Sequence, residues 1–144
     1  MITLTTKLCT LSRGELLHLN NSLLKVCEKI MGKKKDIRVR TTTRGTKYFG
    51  KYMTDTRTIF MYRNVCDTVG KYVEVFIHEY RHAKQKGINK HYQTMTLLHG
   101  YWNNPYEVDA RKAQKELRPE VWKEVKKLYK QKYNVHVLGS VVKG

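Results

Sequence analysis

Leu16, Leu19, Leu23, Val26, Cys27 and Ile30 recur every three or four residues, a spacing that lines one face of an α-helix with apolar side chains. Ser12 and Glu15 stand at capping-box spacing at the start of this run, Leu11 and Leu16 at the spacing of a hydrophobic staple, and Gly32 marks the stop. A first helix with a leucine stripe in the core is predicted. From residue 36 to 65 the period shortens to two. Ile37-Arg38-Val39-Arg40-Thr41 alternates, and Tyr48–Met53 and Thr58–Asn64 flank a polar turn at Thr54–Arg57, so a small, mostly antiparallel sheet is expected there. Which of its strands forms an edge is open. The run Tyr72–Ile77 is mostly apolar and predicts a helix buried along most of its length, reaching about Lys86 with Gly87 as its C′ residue.

Residues 87–104 lose the periodicity and read as a connection rich in polar and aromatic residues, among them His91, Tyr92, His99, Tyr101 and Trp102. Asn104 then offers an N-cap and Pro105 a first helical position for a helix continued by Ala110, Ala113 and Leu117. Pro119 breaks or restarts the pattern, and Val121, Trp122, Val125, Leu128 and Tyr129 mark an amphipathic C-terminal helix with a lysine-rich outer face. The tail from Asn134 reads as an extra strand or a flexible end. No internal repeat or low-complexity linker interrupts the chain, and its 144 residues suit one α+β domain with a core that needs no disulfide staples.

Charge changes the picture more than size does. The chain carries 29 Lys and Arg against 12 Asp and Glu, a net charge of +17, concentrated in Lys33–Arg44 and in the C-terminal helix at Lys123, Lys126, Lys127, Lys130 and Lys132. Such a field attracts polyanions, of which nucleic acid is the commonest in cells, although no zinc-finger or aromatic RNA-recognition pattern accompanies it. Cys9, Cys27 and Cys66 have no metal-binding spacing, and an odd, sparse set suits a reducing compartment. Met1–Lys7 lacks the apolar run of a signal peptide and no stretch reaches transmembrane length, so a soluble cytoplasmic protein without a membrane partner is expected.

The chemistry concentrates at residues 78–82, His-Glu-Tyr-Arg-His. Positions i and i+4 share one helical face, so His78 and His82 can reach a single metal ion, and Glu79 projects beside it, placed to deprotonate a bound water. Buried imidazoles without partners are costly, which argues against an accidental match on so apolar a helix. A catalytic zinc takes three protein ligands and keeps one open position. Gln85 and Ile88 occupy the positions at which a metzincin would carry its glycine and third histidine, which excludes that class. Two downstream acids compete for the role. Glu107 sits in the first turn of the helix that Asn104 caps, where it can either close a capping box or supply the third ligand, and Asp109 lies on a different face of the same helix. His91 and His99 are further candidates within the connection.

HEYRH at 78–82 followed by NPYEVDAR at 104–111 resembles the gluzincin type of zinc peptidase, and the chain's size is similar to the compact minigluzincins. The resemblance covers roughly residues 45–115. It implies a zincin-like single domain over 1–144, with an N-terminal helix, a small sheet, the HExxH helix, a glutamate helix and, in this chain, a basic C-terminal helix. It further implies Zn2+ held by His78, His82 and Glu107, Glu79 as general base, a peptide or protein substrate, and an edge strand above the metal that pairs with extended substrate. One departure stands out. The thermolysin-like pattern carries an Asp four residues after the ligand Glu to orient the first histidine, and here that position is Arg111, leaving Asp109 as a substitute. Two rivals follow from the charge: a DNA-associated protease similar to the SprT-like proteins, and a non-enzymatic basic nucleic-acid-binding protein whose HExxH is incidental.

Overall fold

The computed structural model describes residues 2–45 and 47–143, with side chains to residue 132. The N-terminal segment pairs with the start of the second helix, through Val69 N to Thr6 O at 3.0 Å and Gly70 N to Leu4 O at 2.8 Å. A side chain at position 70 would meet Leu4 O at 2.9 Å, so glycine permits this close approach. Helix α1, Arg13–Met31, begins at Ser12, whose side chain accepts from Glu15 N while Glu15 accepts from Ser12 N, completing the capping box. Gly32, at φ 95°, ends it. Leu16, Leu19, Leu23, Val26 and Cys27 are buried, as their spacing predicts.

Strands β1 (Arg38–Thr42), β2 (Gly50–Met53) and β3 (Thr58–Tyr62) form a sheet in the order β1-β3-β2. β2 and β3 are an antiparallel hairpin, but β1 runs parallel to β3. The expected mostly antiparallel sheet is therefore mixed, with one pairing of each kind. The physical reason is that β3 inserts between its two predecessors, which the seven-residue connection 43–49 makes possible by crossing the end of β3. β2 is left as an edge.

Helix α2, Val69–Lys84, is capped by Thr68, which accepts from Lys71 N at 3.2 Å, and it carries the HExxH motif. It ends at Lys84, two residues earlier than predicted, with Gln85 as its C-cap. Gly87, at φ 74°, instead starts α3, Ile88–Asn103, with Gly100 (φ 77°) kinking it near the end. The region read as an irregular connection is thus helical. Its pattern gave no sign because only Ile88 is buried, while Leu97, Leu98, Tyr101 and Trp102 face solvent. Helix α4 runs from Pro105 to Lys143, so the glutamate helix and the basic C-terminal helix are one element and the tail is helical, not a strand. Pro119 is exposed within it. Lys115, whose carbonyl a proline at 119 deprives of its helical donor, is exposed, and the buried stripe Ala110, Ala113, Val121, Val125 and Tyr129 continues past Pro119.

The core lies where α1, α2 and α4 meet and where the sheet rests on α2. Tyr72, Phe76, Ile77 and Tyr80 of α2 have no exposed surface. The buried Tyr72 hydroxyl needs partners and has them. It donates to Asn20 Oδ1 at 2.5 Å and lies 2.8 Å from Thr41 Oγ1, while Asn20 Nδ2 donates to Thr41 Oγ1 at 2.8 Å. This closed set ties α1, β1 and α2 together. Arg118 to Glu74, one turn before the motif, and Arg81 to Asp109, within it, fasten α4 to α2. Among the described residues, no helix is long and apolar enough to cross a membrane.

Candidate metal centre

One turn of α2 sets the His78 and His82 rings edge to face with centroids 4.8 Å apart. The first turn of α4 supplies the third group. Glu107 Oε1 lies 2.8 Å from His78 Nε2 and 3.1 Å from His82 Nε2, and the ligand atoms of the three residues all fall within 4.8 Å of one another. All three side chains are nearly closed to solvent, at 14%, 7% and 5% exposure for His78, His82 and Glu107.

Local structure explains why Glu107 is available. Asn104 caps α4, its Oδ1 accepting from Tyr106 N at 2.9 Å and its carbonyl from Val108 N at 2.9 Å. Its side-chain amide also donates to Tyr92 O at 3.1 Å and Thr96 Oγ1 at 2.9 Å, which locks the start of α4 to α3. Asn104 N bonds Tyr101 O at 3.3 Å. Glu107 therefore does not close a capping box, and its carboxylate faces the histidines. Tyr92 donates to its second oxygen, Oε2, at 2.5 Å.

The outer ring nitrogens decide what the inner ones can do. Gln85 Nε2 faces two acceptors, Tyr106 O at 2.8 Å and Asp109 Oδ2 at 2.9 Å, which fixes the amide so that Oε1 meets His82 Nδ1 at 2.7 Å. A carbonyl oxygen there requires a proton on Nδ1. Nε2 then faces the Glu107 carboxylate at 3.1 Å, as a donor in the imidazolium and, in the neutral ring, as a lone pair free for a metal ion. Gln114 Oε1 stands in the same relation to His78 Nδ1 at 3.0 Å. Two imidazole nitrogens and a carboxylate oxygen, oriented by outer hydrogen bonds, fit a metal ion, and His78, His82 and Glu107 could hold one.

Electrostatics follow the same geometry. Burial works to raise the Glu107 pKa, but the hydrogen bonds from His78 and His82, the His82 charge and the Tyr92 hydroxyl hold it well below the ordinary value. Burial pulls the His82 pKa down, and Glu107 and Glu79 outweigh it, so the net shift is upward. Glu79 is buried beside the two histidines, and desolvation raises its pKa against the opposing pull of His78 and His82. The backbone N–H of Tyr52 on β2 also pulls it down. Gly50 allows that approach, because a β-carbon there would sit 2.7 Å from Val75 Cγ1 and 3.4 Å from Glu79 Cγ.

These groups lie at the base of a cleft of about 730 Å³. β2 and its turn form one wall, and α3 from Ile88 to Thr96, with Tyr101, forms the other. Asp109 is outside the cluster. It accepts from Arg81 at 2.8 and 3.2 Å, and it touches His82 only through Gln85, not His78 at all. Arg111 stacks on Trp102, 3.9 Å from the ring centroid, and bonds its carbonyl. His91 and His99 are exposed on α3 and lie apart from the cluster. Gln85 and Gln114 were not singled out in the sequence. Gln114 lies two helical turns beyond Glu107 and Gln85 one turn beyond His82, a spacing that places each beside a ligand once the helices are known. No family model, curated protein or solved structure matches the chain.

Proposed function

We propose that the protein is a zinc-dependent metallopeptidase of the gluzincin kind, acting on a peptide or protein. The observation that carries this reading is the convergence of His78, His82 and Glu107 beside a buried glutamate in an open cleft. Among divalent ions, an imidazole–imidazole–carboxylate set suits zinc, which when bound acidifies water towards a pKa of about 7 and polarises a carbonyl. Glu79 is the proton carrier. Its carboxylate takes the proton of the attacking water and returns it to the leaving amine nitrogen. Tyr92 holds Glu107 by its second oxygen, and Gln85 and Gln114 hold the imidazoles with Nε2 turned inward. Among the described residues β2 has no strand partner on its outer edge, and it borders the cleft, so an extended peptide can pair along it through main-chain hydrogen bonds.

The test is zinc per chain by elemental mass spectrometry on tag-free protein, together with turnover of a peptide library. Wild type should carry about one zinc and His78→Ala none. Glu79→Gln should keep its zinc and lose hydrolysis. Full turnover by Glu79→Gln on a proven substrate would remove the general-base role, and zinc-free, well-folded wild type that takes up no added metal would remove the peptidase reading altogether.

A further inference from the structure

The sheet has an inner and an outer face, and the two differ sharply in chemistry. Ile59 and Met61 of β3 are fully buried, Thr41 of β1 reaches Asn20 and Tyr72, and a β-carbon on Gly50 of β2 would strike Val75. These residues define the face on α2. Alternation sends their neighbours to the opposite face. There the register aligns Arg40, Phe60 and Lys51 in one row across the three strands, and Arg38, Thr58 and Met53 in the next. Arg38, Arg40 and Lys51 are exposed and Phe60 is half-buried between its two cationic neighbours. Among the described residues, none of the three cations lies within ion-pair distance of a carboxylate.

The connection between β1 and β2 closes off the row beyond. Gly45 crosses over Tyr62, where a β-carbon would lie 2.4 Å from Tyr62 Cβ, and Asn64 holds the crossing through bonds of 3.0 and 2.5 Å to the Gly45 backbone. At its margin Phe49 is 41% exposed, with Lys71 Nζ 4.2 Å from the ring centroid. On the outer face itself the ring among unpaired cations is Phe60, between Arg40 and Lys51, in a chain of net charge +17.

We propose that the outer face of the sheet binds single-stranded nucleic acid, with Phe60 stacking on a base and Arg40 and Lys51 meeting phosphates on either side. Arg40 and Lys51 stand two strand spacings apart, about 10 Å, a span that their long side chains adjust to successive phosphates. Affinity comes from charge, and preference for single strands comes from the ring, since a duplex hides its base faces. Phe60, half-buried, with Met53 and the marginal Phe49 offers too little apolar area to hold a membrane surface. Lys51 and Met53 also line the metal cleft, whereas Arg40 and Phe60 do not, so zinc content and oligonucleotide binding are measured separately and the failure of either reading leaves the other standing.

The experiment is fluorescence anisotropy with a labelled oligo-dT and a duplex of matched length, across a salt series, on the full chain. Oligo-dT should bind more tightly than the duplex, and Phe60→Ala should weaken it about tenfold. Phe60→Leu, which keeps most of the packing volume, should weaken it comparably while thermal melting stays that of wild type. Arg40→Ala combined with Lys51→Ala should lower the salt slope by about 1.4, at roughly 0.7 per phosphate on a single strand. Equal binding of duplex and single strand, indifference to Phe60→Leu, or binding only to anionic vesicles would each overturn the proposal.

Discussion

His82 shows how much a single hydrogen bond can determine. Gln85 has spent both of its amide hydrogens on Tyr106 O and Asp109, so only its oxygen is left for His82 Nδ1. The imidazole is thereby committed to one tautomer before any ion arrives. Gln114 Oε1 faces His78 Nδ1 at 3.0 Å, at the place where the thermolysin-like pattern would put a carboxylate. An amide orients an imidazole without adding negative charge, so each glutamine should contribute to affinity chiefly through geometry. Gln114→Ala is expected to weaken zinc binding roughly 10- to 100-fold with the fold intact, measured by competition with a chromophoric chelator. Unchanged affinity would mean that His78 is held by something other than Gln114. The histidines and Glu79 were legible because one short motif places all three on one turn. The choice between Glu107 and Asp109 was not, since it depends on how α4 crosses α2. That crossing turns Glu107 onto the histidines and Asp109 onto Arg81.

At the level of elements, legibility tracked burial. α1 was readable from end to end because its caps and its buried stripe are both local. Its N-terminus also reports on pH. The Tyr129 hydroxyl and then the Ser12 N–H lower the Glu15 pKa below its ordinary 4.5, and slight burial opposes them. A carboxylate depressed on folding stabilises above its unfolded pKa, and that contribution disappears as pH falls through the lower, folded value. Urea unfolding should therefore show Glu15→Gln less stable than wild type at pH 7, with the gap closing below about pH 4. A gap that stayed constant with pH would assign the effect to packing. Ser12→Ala should cost about 1 kcal/mol at neutral pH through the lost cap. α3 and the β1–β3 pairing were illegible for the opposite reason. α3 buries only Ile88 and so has no apolar stripe to read, and the insertion of β3 between β1 and β2 is a long-range choice that alternation within each strand does not encode.

Across the whole molecule, two features pull on stability in opposite directions. A net charge of +17 strains the compact state by self-repulsion, and the convergence of α2 and α4 on one ion would tie the core together. They can be separated because they answer to different reagents. A metal bound by the folded chain alone, at a thousandfold excess over its Kd, stabilises by about 4 kcal/mol. For a domain of this size that corresponds to a fall in Tm on the order of 10 °C when a chelator removes the ion. Adding salt screens the repulsion and should raise the Tm of metal-loaded and metal-free protein alike. His78→Ala discriminates between the two effects. Its Tm should respond to salt as wild type does but ignore the chelator, because it has no ion to lose. If wild type melts at the same temperature with and without chelator while still responding to salt, then no ion contributes to the fold and the three side chains meet for a reason other than metal. If both respond to the chelator equally, the metal that matters is held somewhere other than His78.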